Sequence, residues 1–216
     1  MQIYAMSKSI SHQIAAKLLQ IEAIKLNLAH PFTWASGWKS PIYCDNRLAL
    51  SYPEIRSMIK DALALTIRQS FAGVESIAGV ATAGIPQGAL VAEALELPFI
   101  YVRAKPKGHG MTNMIEGLVT PGQKTVLIED LISTGGSSIK AGLALRDAGF
   151  EVLGMAAIFT YGFNLASTNF AEAEIKVKTL SNYNDMIEQA LETGYINQDQ
   201  VASLKAWRED PGNWGQ

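Results

Sequence analysis

The feature that most limits what this chain can fold into is an alternation along residues 77–159. Apolar, strand-like stretches at 77–80, 99–102, 125–128 and 152–159 are interleaved with stretches at 87–96 and 137–148 that carry helical spacing. Such alternation predicts an α/β fold, a central and mostly parallel sheet flanked by helices. Sheets of that kind bind ligands beyond the carboxyl ends of their strands, where the strand order reverses. Every unusual loop of this sequence follows one of the strand-like stretches.

The flanks are read in the same way. Ile10, Ile14, Leu18 and Ile21, with Ala15 and Leu19 beside them, predict a helix over 9–28. Residues 30–50 break into Pro, Gly, Trp and Ser, which suits loops or a hairpin with a strand around 41–44. Ser51 and Glu54 form a capping-box pattern around Pro53, and Ile55, Ile59, Ala62 and Leu65 carry a helix on to about Gln69. A further helix is expected over 182–192, stopped by Gly194, and another after Asn197, where Gln200 completes a cap. Residues 152–171 hold no charged side chain. Their Gly154, Gly162, Asn164, Ser167 and Asn169 make the second half loop-like, so a buried strand is expected rather than a membrane span.

The chain has 216 residues, 48% of them hydrophobic and 18% charged, enough for one domain with a sizeable core. A formal net charge of -2 offers no general attraction to nucleic acid or anionic lipid, so neither is expected as a partner. Cys44 is the single cysteine, which excludes an internal disulfide and a clustered cysteine zinc site and fits a reducing compartment. Residues 1–8 lack the apolar run of a secretory signal, and a cytoplasmic location is expected.

The chemistry is concentrated in 126–138. Val126, Leu127 and Ile128 run directly into two acids, Glu129 and Asp130, followed by Leu131, Ile132, Ser133, Thr134, Gly135, Gly136, Ser137 and Ser138. The glycines let the backbone approach a ligand closely. Unpaired N–H groups and the positive dipole end at the start of the next helix favour a phosphate, with the Thr and Ser hydroxyls as added donors. Serine and glycine also make ordinary strand-to-helix turns. Adjacent carboxylates at the end of a buried strand repel each other unless cations or hydroxyl donors occupy the site, which favours a binding role. A Walker loop is excluded because no lysine follows the glycines, and the dinucleotide pattern lacks its third glycine.

A second unusual stretch covers about 103–117. Arg103, Lys105 and Lys107 occur there without an acid before Gly108, His109 and Gly110, and Gly117 closes the stretch. It reads either as a solvated turn or as a mobile lid whose cations neutralise charge on a departing anion and whose closure excludes water.

The sequence VLIEDLISTGGSS resembles the phosphoribosyl pyrophosphate motif of type I phosphoribosyltransferases. The resemblance implies that fold, with Glu129 and Asp130 meeting the ribose hydroxyls and Leu131, Ile132, Ser133, Thr134, Gly135, Gly136 and Ser137 lining the site, the loop holding the 5-phosphate. Residues 103–109 are similar to the catalytic loop of orotate phosphoribosyltransferases, which aligns Arg103, Lys107 and His109 with its arginine, lysine and histidine. Ala104 stands where many members have a second lysine. Residues 32–47, with Ser36, Gly37, Ser40 and Pro41, resemble the amino-terminal hood of the same family, formed here by about 1–50. That likeness implies base contacts from the backbone near Tyr43 and Cys44 and from Ser133. Phe32, Trp34 and Trp38 fit either a ring-covering role or plain packing. Ala35, Thr82 and Ala83 stand where some members carry a lysine or a Tyr-Lys pair, while residues 79–88 keep a glycine-rich form whose amides can bind oxygen.

The family likeness implies Mg²⁺-assisted transfer of a phosphoribosyl group to orotate, the metal held mainly by substrate oxygens and water. It also implies a homodimer with shared active sites. Transfer to a purine or another base is the alternative within enzymes. A regulator that senses the ribose donor and binds nucleic acid is the alternative outside them.

Overall fold

The computed structural model describes residues 9–34, 37–106 and 114–215. Helix α1 (Ile10–Gln20) is capped by the Ser9 side chain, which accepts from the His12 amide, and buries Ile14, Ala15, Leu18 and Leu19. It ends earlier than its apolar rows suggest. Glu22 adopts a left-handed conformation (φ 55°), and the chain turns into strand β1 (Ile24–Leu26). The short ribbon β2 (Phe32–Thr33) with β3 (Lys39–Ser40) follows, and then β4 (Ile42–Cys44), which pairs antiparallel with β1. A 3₁₀ helix (Asn46–Ser51) leads into α2 (Pro53–Ser70). The Ser51–Glu54 capping box does not form. The N-cap is Tyr52 without a side-chain bond, because the fixed φ of Pro53 starts the helix and Ser51 closes the 3₁₀ turn.

The sheet is laid down next. Strand β5 (Ser76–Val80) is followed by α3 (Gly84–Leu95), β6 (Phe99–Val102), β7 (Ile115–Glu116), β8 (Lys124–Ile132), α4 (Gly136–Asp147) and β9 (Glu151–Thr160). Then come α5 (Asn164–Glu172), β10 (Val177–Asn182), α6 (Tyr183–Glu192) and α7 (Gln198–Glu209). The order across the sheet is β10-β9-β8-β5-β6-β7, parallel throughout except for the edge pair of β7 with β6. The direction of winding therefore reverses between β5 and β8. Right-handed crossovers running in opposite directions from that point place α3 and α4 on opposite faces. Helix α3 packs with α2, and α4 with α5.

Three further elements differ from the sequence expectation. Helix α3 begins at Gly84 rather than near 87, because Gly84 and Gly88 let it lie directly on the sheet. A Cβ at Gly84 would stand 2.3 Å from the Ile128 carbonyl oxygen, and one at Gly88 would stand 3.2 Å from the Gly79 Cα. The second half of the uncharged stretch 152–171 is not loop: Ala166 and Phe170 turn a buried stripe of α5 onto the core. Strand β10 has no apolar run to mark it in the sequence, because only Leu180 and Ser181 of it are buried. Among the described residues, no helix is long and apolar enough to cross a membrane.

Candidate active site

Strands β5 and β8 pair only as far as Gly79 with Ile128, whereas β8 continues beside β9 to Ile132 with Thr160. The two acids therefore lie inside a strand that has outrun one neighbour, in the crevice at the switch point. Glu129 is 5% exposed. Its Oε1 accepts from the Asp130 amide at 3.0 Å, and its Oε2 accepts from the Ser138 hydroxyl of α4 at 2.8 Å. Burial, reinforced by the neighbouring Asp130 charge, raises the Glu129 carboxyl to about 8. Burial also raises Asp130, with hydrogen bonds and the Arg47 guanidinium acting against it. A hydroxyl donor or cation brought into the crevice would offset this desolvation and the repulsion between the two acids.

The loop after β8 is the second part. Gly135 has φ 83°, and a Cβ there would meet Phe170 of α5 at 2.7 Å. A Cβ at Gly136 would meet nothing within 4 Å, so the first turn of α4 faces open space. Helix α4 has no side-chain cap and no acid in its first turn, which leaves its leading N–H groups and dipole available to an anion. Asn169 of α5 donates from Nδ2 to the Thr134 carbonyl at 3.0 Å. Across the crevice, the peptide between Ala81 and Thr82, in the glycine-rich turn after β5, is cis. A cavity of about 240 Å³ opens beside the loop between Trp38, Thr134, Phe163 and Arg208.

The hood side is held by polar contacts that have no motif in the sequence. Asn46, 1% exposed, donates from Nδ2 to the Asp130 carbonyl at 2.7 Å. The Cys44 thiol, held well above its usual pKa by burial and by Asp130 and Asp45, donates to Asn46 Oδ1 at 3.3 Å. Arg47 forms a two-bond pair with Asp45, at 2.6 and 2.8 Å. Along β4, the Asp45 amide donates to Ala23 O and the Asn27 amide to Pro41 O. Antiparallel alternation then turns the Tyr43 amide toward β1 and leaves the Cys44 amide on the open edge. Of the two hood positions expected near the base, only Cys44 has its N–H free of the ladder, while the Tyr43 ring lies tilted against Phe32, with centroids 5.6 Å apart.

Trp34 and Trp38 are packing residues here. Trp34 lies 5.1 Å from Tyr161 and 5.5 Å from Trp207, and Trp38 lies 6.5 Å from Phe163. Arg103 stands at the end of β6, its amide donating to Met114 O and its Nη1 pairing with Glu116 at 2.9 Å. Lys107 and His109, like Ser36 of the hood pattern, lie outside the described residues. The site thus joins Glu129, Asp130 and the loop of Ser133, Thr134, Gly135, Gly136 and Ser137 with Cys44, and leaves Arg103 at its margin.

Residues 51–195 match the model of the phosphoribosyl transferase domain family. The chain is 58% identical over 202 residues to the orotate phosphoribosyltransferase of Cytophaga hutchinsonii, an alignment covering 94% of this chain and 97% of that one. It is 57% identical over 208 residues to the enzyme of the same name from Porphyromonas gingivalis, covering 96% and 99%. The crystal structure of orotate phosphoribosyltransferase from Aeropyrum pernix superposes with a TM-score of 0.74 at 28% identity, covering 85% of this chain and 99% of that one.

Proposed function

The chain belongs to the orotate phosphoribosyltransferases, within the phosphoribosyl transferase domain family, and from that premise we propose that its reaction takes place in the crevice where β5 and β8 part. It transfers the 5-phosphoribosyl group of phosphoribosyl pyrophosphate to orotate, giving orotidine 5-phosphate and pyrophosphate in pyrimidine biosynthesis. The observation that carries the placement is the geometry of β8. One strand delivers a desolvated acid pair and, directly after it, an uncapped helix start facing open space.

Residue roles follow from that layout. The first turn of α4, with Ser133, Thr134, Gly135, Gly136 and Ser137, holds the 5-phosphate. Asp130 and Glu129 accept from the ribose hydroxyls; with Glu129 holding its proton near neutral pH, the Asp130 carboxylate steadies the positive charge that grows at the anomeric carbon as the bond to pyrophosphate lengthens. Orotate approaches that carbon from the hood, its polar edge met by the Cys44 amide and Ser133. The amides of 82–84 take the leaving pyrophosphate from the β5 side, that of Ala81 being spent on the Val102 carbonyl. Sequence resemblance adds Arg103, Lys107 and His109 as cations covering it. The oxygen donors beside the crevice suit a hard cation bound through water. Mg²⁺, held by substrate oxygens and its own waters, would offset pyrophosphate charge as that group leaves. The same reading takes residues 1–216 as one domain, hooded by about 1–50, working as a cytoplasmic homodimer with shared sites and without nucleic acid or membrane partners.

Replacing Asp130 by Asn and Lys107 by Ala tests these roles. Each change is expected to cut turnover by about 10² or more without unfolding the chain, as for loss of a group that acts in the transition state. Turnover equal to the parent's in either variant would remove that residue from the mechanism.

A further inference from the structure

The geometry points to Asn169 as a positioning residue that sets the direction of a phosphate-binding N–H in the loop after β8. The peptide unit concerned joins Thr134 to Gly135. A trans peptide is planar, and its C=O and N–H point in opposite directions. Asn169 Nδ2 donates to the Thr134 carbonyl at 3.0 Å, so that carbonyl is drawn toward α5. The Gly135 N–H is thereby aimed away from α5, toward the open side on which the first turn of α4 begins. Because a carbonyl can only accept, the carboxamide must present its NH₂ group, and no isosteric side chain without a donor replaces it.

Phe170, the next residue, fixes the same unit from another direction. It is 5% exposed, and a Cβ at Gly135 would meet its ring at 2.7 Å, so the ring and the glycine define one position for the loop backbone. The left-handed φ of 83° at Gly135 closes the turn into α4, where the Ile139 amide donates to the Gly135 carbonyl at 2.9 Å. Consecutive residues of α5 thus hold this unit at two points, its carbonyl and the Cα of Gly135. An N–H aimed before the ligand arrives need not be reoriented during binding, which is the advantage of preorganisation. Asn169 itself lies on the α5 side of the loop and acts through the Thr134 carbonyl.

This inference rests on the reading that the loop holds the 5-phosphate, and the test separates the two. Ribose 5-phosphate binding to the full chain is measured by calorimetry for the parent, Asn169→Leu, Asn169→Asp and Gly136→Asp, alongside kcat and KM for phosphoribosyl pyrophosphate and the melting temperature of each. The expected result is that both Asn169 variants stay folded and weaken ribose 5-phosphate by about tenfold or more. Their KM for the donor should rise in parallel, and kcat should change by less. Asn169→Asp, which sets a carboxylate against the carbonyl, should be at least as impaired as Asn169→Leu. A residue that only braced the fold would lower the melting temperature and the active fraction while leaving KM unchanged. Affinities within twofold of the parent in either folded Asn169 variant, while Gly136→Asp abolishes binding, would overturn the positioning role alone. Unchanged binding in Gly136→Asp, or no binding by the parent, would overturn the phosphate reading and this inference with it.

Discussion

The side chain of Asn46 donates to the backbone carbonyl of Asp130 at 2.7 Å, and this bond joins the hood to the strand that carries the acids. Asn46 is buried and receives the Cys44 thiol on its other side. Asn46→Leu removes the donor and leaves a buried carbonyl unsatisfied, a loss of about 1–3 kcal/mol. Urea denaturation is expected to show that loss, and steady-state kinetics a raised KM for orotate, because the open edge of β4 is no longer registered on Asp130. An unchanged denaturation midpoint would mean that the hood is held in place by packing alone.

The raised Glu129 carboxyl makes stability depend on pH in a defined direction. Its ordinary value is 4.5 and its value in the folded chain is about 8, so between these limits the folded state holds a proton that the unfolded state has lost. Stability is therefore fully present below about 4.5, falls as pH rises through the window, and levels off above about 8, by at most about 1.4 kcal/mol per pH unit. Glu129→Gln removes this dependence while keeping an acceptor for the Asp130 amide and a partner for Ser138. Melting temperatures of the ligand-free chains from pH 5 to pH 8.5 should diverge, the parent losing stability relative to the variant. Parallel curves would show that Glu129 titrates normally.

The neighbouring glycines of the loop are expected to respond differently. At Gly135 an added Cβ meets Phe170 at 2.7 Å and forces a side chain into a left-handed conformation, so Gly135→Ala should cost about 1–3 kcal/mol. At Gly136 there is room for a side chain, and an acid in the first turn of a helix is favourable. Gly136→Asp is accordingly expected to melt within a few degrees of the parent but to lose phosphoribosyl pyrophosphate binding through charge repulsion. Thermal melts and donor titration distinguish the two outcomes.

Trp207 ties the carboxyl-terminal helix to the hood. It is fully buried, its Nε1 donates to the Lys39 carbonyl at 3.1 Å, and its ring lies 5.5 Å from both Trp34 and Phe163. Trp207→Ala should destabilise the chain by about 3–5 kcal/mol, the range for deleting a large buried aromatic. Trp207→Phe keeps most of the packing and loses the hydrogen bond, so a smaller loss is expected, measured in the same denaturant series.

The parallel sheet was legible in the sequence because its strands are apolar runs set off by helical spacing, and the loop because strand, acids and glycines follow one another without interruption. What escaped detection depended on contacts between distant segments. Nothing near Glu22 in the sequence announces that the chain must turn there to pair β1 with β4, and intrinsic helix preference favours continuing α1. Helix α5 was hidden because its buried side is only Ala166 and Phe170, while Asn164, Ser167 and Asn169 imitate a loop. Asn46 and Asn169 were invisible as site residues because each acts through a backbone carbonyl, and a carbonyl has no sequence signature. The order of strand, acids and glycine loop could be read from adjacent residues, but the supports that hold the loop come from segments far along the chain.

The central claim is most directly tested by the ratio of kcat/KM among candidate bases with phosphoribosyl pyrophosphate and Mg²⁺ present. Orotate, hypoxanthine, xanthine, adenine and uracil would each be followed by pyrophosphate release. The account requires rapid release with orotate, accompanied by loss of its ultraviolet band, and release at least about 10³-fold less efficient with each of the others, as expected where buried polar groups are left unpaired by the wrong ring. Comparable turnover of a purine, or no turnover of orotate by the folded chain, would contradict it.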